Sequence, residues 1–132
     1  MSYQPGVYRF QGGNGEARRV ALKSANYTVT AEESGTHFVA TAANLVFTLP
    51  STAAGLWYKF SVAAAGLSAG TGLSVSPAAA DKIMGNGFTS ADNKDAINSG
   101  ATDREGDVLG VIGDGVDGWV VELVIGTWAR EA

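Results

Sequence analysis

The chain contains no cysteine among its 132 residues. Disulfides, thiolate nucleophiles and cysteine-type zinc sites are therefore excluded. Histidine occurs once, as His37, and proline three times. One histidine without cysteine cannot make an ordinary structural zinc site. His37 falls in a predicted strand beside Phe38, where a partly exposed sheet-face histidine is expected. Charged residues supply only 17% of the chain, its net charge is −4, and Lys and Arg form no run beyond Arg18-Arg19. A nucleic-acid footprint is thereby excluded. No segment approaches the ~20 consecutive apolar residues of a membrane helix. Met1 to Gly15 has neither the basic start nor the apolar core of a secretory signal, so synthesis and folding in the cytoplasm are expected. No window repeats apolar residues at helical spacing. Ala63-Ala64-Ala65 and Pro77-Ala78-Ala79-Ala80 are too short to hold a helix.

What the chain does have is glycine, alternation and bulk. Glycine occurs 18 times, about twice its usual share of ~7%, and without periodicity it signals tight turns. Hydrophobic residues make up 45%, enough for one globular domain with a core. Arg18–Lys23 alternates, with Val20 and Leu22 on one side. Tyr27–Thr30 and Thr36–Ala40 flank the turn Glu32-Glu33-Ser34-Gly35. Leu45, Phe47 and Leu49 share one face of a strand that Pro50 ends. Leu56, Tyr58, Phe60 and Val62 share another, interrupted by Trp57. A shorter strand carries Leu73 and Val75. Asp81-Lys82-Ile83-Met84-Gly85 reads as a short strand or one helical turn, and Asn86-Gly87 as a turn. Thr89 to Gly106 is polar and acidic and is expected to form a long surface loop. Val108–Ile112 and Trp119–Ile125 make a strong hairpin. Trp119, Val121, Leu123 and Ile125 are expected on one face, with Val120, Glu122 and Val124 opposite. Because both faces are apolar, this last strand belongs inside a sheet.

Many short strands with turn signals between them predict an all-β fold. The expected architecture is a jelly-roll-like β-sandwich of about eight strands, with an up-and-down β-barrel as the alternative. Residues 18–132 form this sandwich domain. Residues 1–17, with Tyr3, Val7, Tyr8 and Phe10 ahead of Gly12-Gly13-Asn14-Gly15, form an N-terminal arm. That many aromatics in so short a piece implies burial somewhere, so Tyr3, Val7, Tyr8, Arg9 and Phe10 are the suspected partner-contact residues.

Chemical motifs are few. Gly113-x-Gly115-x-x-Gly118 matches the dinucleotide fingerprint in letters, but that fingerprint needs a helix after it to carry the pyrophosphate. Here a strand follows, so a hairpin turn is expected. Gly66-Leu67-Ser68-Ala69-Gly70 matches the nucleophile elbow of hydrolases. The elbow needs a helix after it and a histidine later in the chain, whereas His37 precedes Ser68. Asp114 and Asp117, or Asp92, Asp95, Asp103 and Asp107, could offer calcium their carboxylate oxygens, but neither set has EF-hand spacing. Surface solvation is their default. Trp57, Trp119 and Trp128 could stack on sugars or bases, or serve as core or interface residues. The expectation is a protein that is not an enzyme, with no catalytic residues, no cofactor and no metal.

Residues 24–62 and 73–131 resemble the small β-rich virion proteins of tailed bacteriophages, a group that includes capsid decoration (cement) proteins and fibre knob domains. The likeness rests on Asn26-Tyr27-Thr28-Val29-Thr30-Ala31-Glu32-Glu33-Ser34-Gly35, Val46-Phe47-Thr48-Leu49-Pro50, Ser74-Val75-Ser76-Pro77 and Asp81-Lys82-Ile83-Met84-Gly85. It continues through Gly113-Asp114-Gly115-Val116-Asp117-Gly118-Trp119 and Gly126-Thr127-Trp128-Ala129-Arg130. The resemblance implies a homotrimer on the outer surface of a phage head. There it would sit at three-fold or quasi-three-fold positions and clamp the major capsid protein, with the arm along the shell. It implies no nucleic-acid or membrane partner. The alternative it implies is a receptor- or glycan-binding knob, with Trp57 or Trp128 as sugar platforms.

Overall fold

The computed structural model describes residues 17–67, 70, 72–85 and 87–132. Tyr3, Val7, Tyr8, Arg9 and Phe10 of the expected arm lie outside these, as does Ser68 of the elbow-like motif. Among the described residues eleven strands follow one another: β1 Val20–Lys23, β2 Tyr27–Thr28, β3 His37–Ala40, β4 Val46–Thr48, β5 Trp57–Val62, β6 Gly72–Ser76, β7 Lys82–Met84, β8 Ala96–Ser99, β9 Val108–Gly113, β10 Gly118–Ile125 and β11 Trp128–Arg130. They form a six-stranded sheet in the order β1-β3-β5-β9-β10-β7 and a five-stranded sheet in the order β11-β8-β6-β4-β2. The expected all-β sandwich is what forms, with eleven strands in place of about eight.

The pairing within it follows a clear rule. From β1 to β6 the chain alternates between the sheets, and each new strand lies parallel to the one two before it. Parallel neighbours need a crossover between them. Here the crossover is a strand of the opposite sheet, so each circuit adds one strand to each layer. The second half closes the winding with antiparallel strands: β9 on β5, β10 on β9, β8 on β6 and β11 on β8. β7 returns parallel beside β10, so β10 lies inside its sheet, as its two apolar faces predict.

Alternation drives the two layers together. Phe38 and Ala40 of β3, Tyr58, Phe60 and Val62 of β5, and Leu109 and Val111 of β9 are buried from one side. Phe47 of β4, with Leu73 and Val75 of β6, meets them from the other. The Phe47 ring lies 5.6 Å from Phe38 and 5.3 Å from Phe60, so the aromatic cluster bridges the sheets. Each such ring contributes roughly 1.5–3 kcal/mol by leaving water.

Three expectations are corrected. The segment from Thr89 to Gly106 is not one long loop, because it contains β8, which pairs with β6 and β11. Its inward residues are the small Ala96 and the polar Asn98, both buried, so hydropathy hid the strand. In β10 a bulge between Val121 and Leu123 shifts the alternation. Trp119, Val121 and Val124 therefore face the core, while Leu123 and Ile125 lie in register with the outward Gly110 and Val108. Trp128 is 7% exposed within the core, which removes it as a sugar platform. Trp119 is fully buried beside Tyr58 at 5.7 Å.

Candidate interaction surface

The strand register turns the outer side of the six-stranded sheet into three rows of side chains. Val20, His37, Lys59, Gly110 and Leu123 form one row. Leu22, Val39, Ser61, Val108 and Ile125 form the second. Trp57, Ile112, Val120 and Met84 form the third. Ten of these residues are large and apolar, and the exposed Glu122 borders them at the β10 bulge beside Leu123. Val20 is 61% exposed, Leu22 66%, Ile125 50% and Val120 41%. Scattered surface apolars need no explanation, but a contiguous apolar face of this kind marks an interaction site.

The polar members of these rows are tied down locally. Nε2 of His37 lies 2.7 Å from Oγ of Ser61. Partial burial, helped by the charge of Lys59, holds the imidazole below its ordinary pKa and so favours the neutral ring. Gly110 leaves room for its neighbours: a Cβ there would sit 3.2 Å from that of Leu123 and 3.5 Å from Cγ of Lys59. The Lys59 stem therefore lies along the sheet, with its Nζ 5.9 Å from the centre of the Trp57 ring. Trp57 is half-buried on this face, the one tryptophan of the three outside the core.

The polar motifs have structural roles instead. Gly113-x-Gly115-x-x-Gly118 is the β9–β10 hairpin turn, as expected. Oδ1 of Asp114 accepts hydrogen bonds from the amides of Val116, Asp117 and Gly118, at 2.8, 2.9 and 2.9 Å. The Gly118 and Val116 amides chiefly hold this carboxyl below its usual range. Thr52 pins the turn by donating to the Gly118 carbonyl at 2.6 Å, while its own amide donates to the buried Asp81. The acidic residues considered for calcium are dispersed. Asp92 pairs with Lys82 at 2.9 Å. Asp107 is buried and accepts from Nδ2 of Asn98 at 3.0 Å and from the Arg104 amide at 2.9 Å. Among the described residues no group of three or more His, Asp or Glu side chains is placed to hold a metal ion. No described helix is long and apolar enough to cross a membrane.

Val39, Ile112 and Val120 were not singled out as outward residues from the sequence. For Ile112 and Val120 the signal was present, since β9 and β10 are apolar on both parities. That pattern usually means a strand covered on both sides. Here one side is the core, and on the other Val108 is buried among its neighbours, Ile112 is half-buried and Val120 is exposed. No family model matches the chain, and neither curated proteins nor solved structures provide a significant match.

Proposed function

We propose that this is a non-catalytic assembly protein of a virion: a homotrimer on the outer surface of a phage head that stabilises the major capsid protein lattice. The observation that carries the reading is the uncovered apolar face of the six-stranded sheet. Covering it removes apolar surface from water, at roughly 25 cal/mol per Å². A protein that binds only the expanded lattice stabilises that lattice by mass action. Three copies in one trimer turn modest single contacts into a durable clamp through effective concentration. The arm residues Tyr3, Val7, Tyr8, Arg9 and Phe10 join this contact in the proposal. The reading draws further on the likeness to phage decoration proteins noted for residues 24–62 and 73–131.

The test has two parts. Light scattering on the purified protein should give a trimer mass. Sedimentation with expanded phage heads stripped of decoration should carry the protein down in saturable amounts, and gold-labelled antibody should coat the heads of intact particles. A monomer that ignores heads would end the proposal. Trp57, half-buried on the apolar face, supports a second reading as a fibre knob that stacks it on a sugar ring. Gold at tail tips with glycan-array binding lost in Trp57→Ala would favour that one.

A further inference from the structure

We propose that the partner covering the apolar face presents a carboxylate to Lys59: an Asp or Glu side chain, set in an otherwise apolar patch, that pairs with the Lys59 ammonium at the centre of the contact. The inference rests on the head-binding reading and deepens it, since it names the chemistry the shell must offer and the residue that reads it.

Three observations lead there. The first is the want of a partner within the chain. Lys23 lies over the Tyr27 ring at 3.7 Å, Lys82 pairs with Asp92 at 2.9 Å, and Lys94 donates to the Ala132 oxygen at 2.8 Å. Lys59 is the remaining lysine, and it has no carboxylate within ion-pair distance among the described residues. Its Nζ stands 5.9 Å from the centre of the Trp57 ring, at the outer limit of a cation–π contact.

The second is position. β5 is the third of six strands, and Lys59 lies between Trp57 and Ser61 as the middle one of its outward residues. It carries the one formal charge in the three rows. Glu122, at their border, belongs to β10, two strands from β5, or about 10 Å. A lysine at a rim turns its ammonium into water when the surface around it is covered. The nearer edge strand, β1, also lies two strands away, beyond the reach of a four-carbon stem.

The third is the seat of the side chain. Lys59 faces Gly110, where a Cβ would stand 3.5 Å from Cγ of Lys59, so the stem rests over the glycine. A stem already laid down loses less rotamer freedom when its end is paired.

These features fix the sign of the effect. Taking an ammonium out of water without a counter-charge is costly, whereas an apolar surround strengthens its attraction to a carboxylate brought with the partner. Lys59 therefore selects among apolar surfaces by penalising those that lack the carboxylate. A lysine kept only to hold the free sheet in solution predicts the opposite, because removing its charge would then tighten binding.

The experiment is co-sedimentation of the full-length protein and of full-length Lys59→Met with expanded heads stripped of decoration. Beside it, the wild-type complex is treated with a zero-length carbodiimide cross-linker and read by mass spectrometry. Met keeps an unbranched stem and removes the charge. Lys59→Met should bind roughly thirtyfold or more weakly. The wild-type complex should yield an amide between Nζ of Lys59 and an Asp or Glu of the major capsid protein. Binding by Lys59→Met as tight as wild type, or tighter, would overturn the proposal. Weaker binding with cross-links from other lysines alone would also overturn it, by assigning Nζ to a carbonyl acceptor. Should Lys59→Met lose the wild-type unfolding midpoint, the cross-link decides by itself. A wild type that stays in the supernatant ends the head-binding reading and this inference with it. A wild type that binds heads without a Lys59 cross-link ends this inference alone.

Discussion

The outer side of the six-stranded sheet shows rows of Val, Leu, Ile and Trp. The outer side of the five-stranded sheet shows Thr28, Thr48 and Ser76 in one row and Val46, Ser74, Ile97 and Ala129 in the next. Both sheets satisfy the same core through the same alternation. Folding therefore does not require the aliphatic exterior, because the hydroxyl-rich sheet closes the sandwich from the other side without one. An apolar exterior on one layer alone is a commitment to being covered. The difference teaches that period-two patterning specifies the inner face, while the outer face is free to record what the sheet meets.

That comparison can be broken from the inside. Phe60 touches both Phe38 at 5.7 Å and Phe47 at 5.3 Å, so it belongs to neither sheet alone. Phe60→Ala should cost about 3–5 kcal/mol in denaturant unfolding. A loss below about 1 kcal/mol would mean that the sheets do not share one cooperative core.

A second set of substitutions sharpens the contrast directly. Leu22→Asp and Ile125→Asp should each weaken head binding by about tenfold or more, equivalent to ~1.4 kcal/mol. Thr48→Asp, on the opposite sheet, should leave it unchanged. Unfolding midpoints of all three should stay close to wild type, within about 0.5 kcal/mol. Equal binding losses on both sheets would erase the distinction between the faces.

The next effect lies where the chain passes from β2 in one sheet to β3 in the other. The Glu33 carboxylate accepts from the Thr30 amide at 2.9 Å, the Thr30 hydroxyl at 3.1 Å and the Tyr27 hydroxyl at 2.6 Å. Partial burial alone would raise its pKa. The Tyr27 and Thr30 hydrogen bonds, with the nearby Lys23 charge, outweigh that and hold it below the usual range. A depressed carboxylate stabilises the fold above its unfolded pKa of about 4.3 and loses that contribution as pH falls through the folded value. Glu33→Gln should cost about 1 kcal/mol at neutral pH and flatten the acid limb of a stability–pH curve. An unchanged acid limb would show that other carboxylates set it.

The smallest effect belongs to His37. Its imidazole is held below the ordinary value, so the unfolded chain binds the proton more readily. Its contribution is present above about pH 6.5 and is lost as pH falls toward the folded value. His37→Gln should remove a shallow slope in stability just below pH 6.5 without altering the fold, as followed by thermal melts. The opposite face carries no titratable side chain in its rows, so an identical slope in the variant would contradict the assignment.

Much of this was legible in the chain. Leu56, Tyr58, Phe60 and Val62 announce an inward face because period-two alternation has one physical reading. Gly113 to Gly118 announce a turn because a strand follows them where a helix would be needed. The even parity of β5 and the interior position of β10 held for those reasons. β8 was hidden because its inward residues, Ala96 and Asn98, carry no hydropathy signal. Asn98 is buried through the bonds of its Nδ2 to Asp107 and to the Thr127 carbonyl, which lie 9 and 29 residues away in sequence. The bulge in β10 was equally invisible, since Val-Val-Glu-Leu-Val-Ile alternates tolerably in either register.

Sequence by itself determined the all-β class, the single core, the turns and the absence of thiol chemistry. These depend on local alternation, on backbone freedom at glycine and on which side chains exist at all. Only the tertiary structure decided that the first six strands wind parallel between two layers. It also sorted the tryptophans, burying Trp119 and Trp128 and leaving Trp57 on the outer face. Above all, it set Val20, Leu22, Val39, Ile112, Val120 and Ile125 on one continuous surface. These residues come from four strands spread over more than a hundred positions, and only the strand register brings them together.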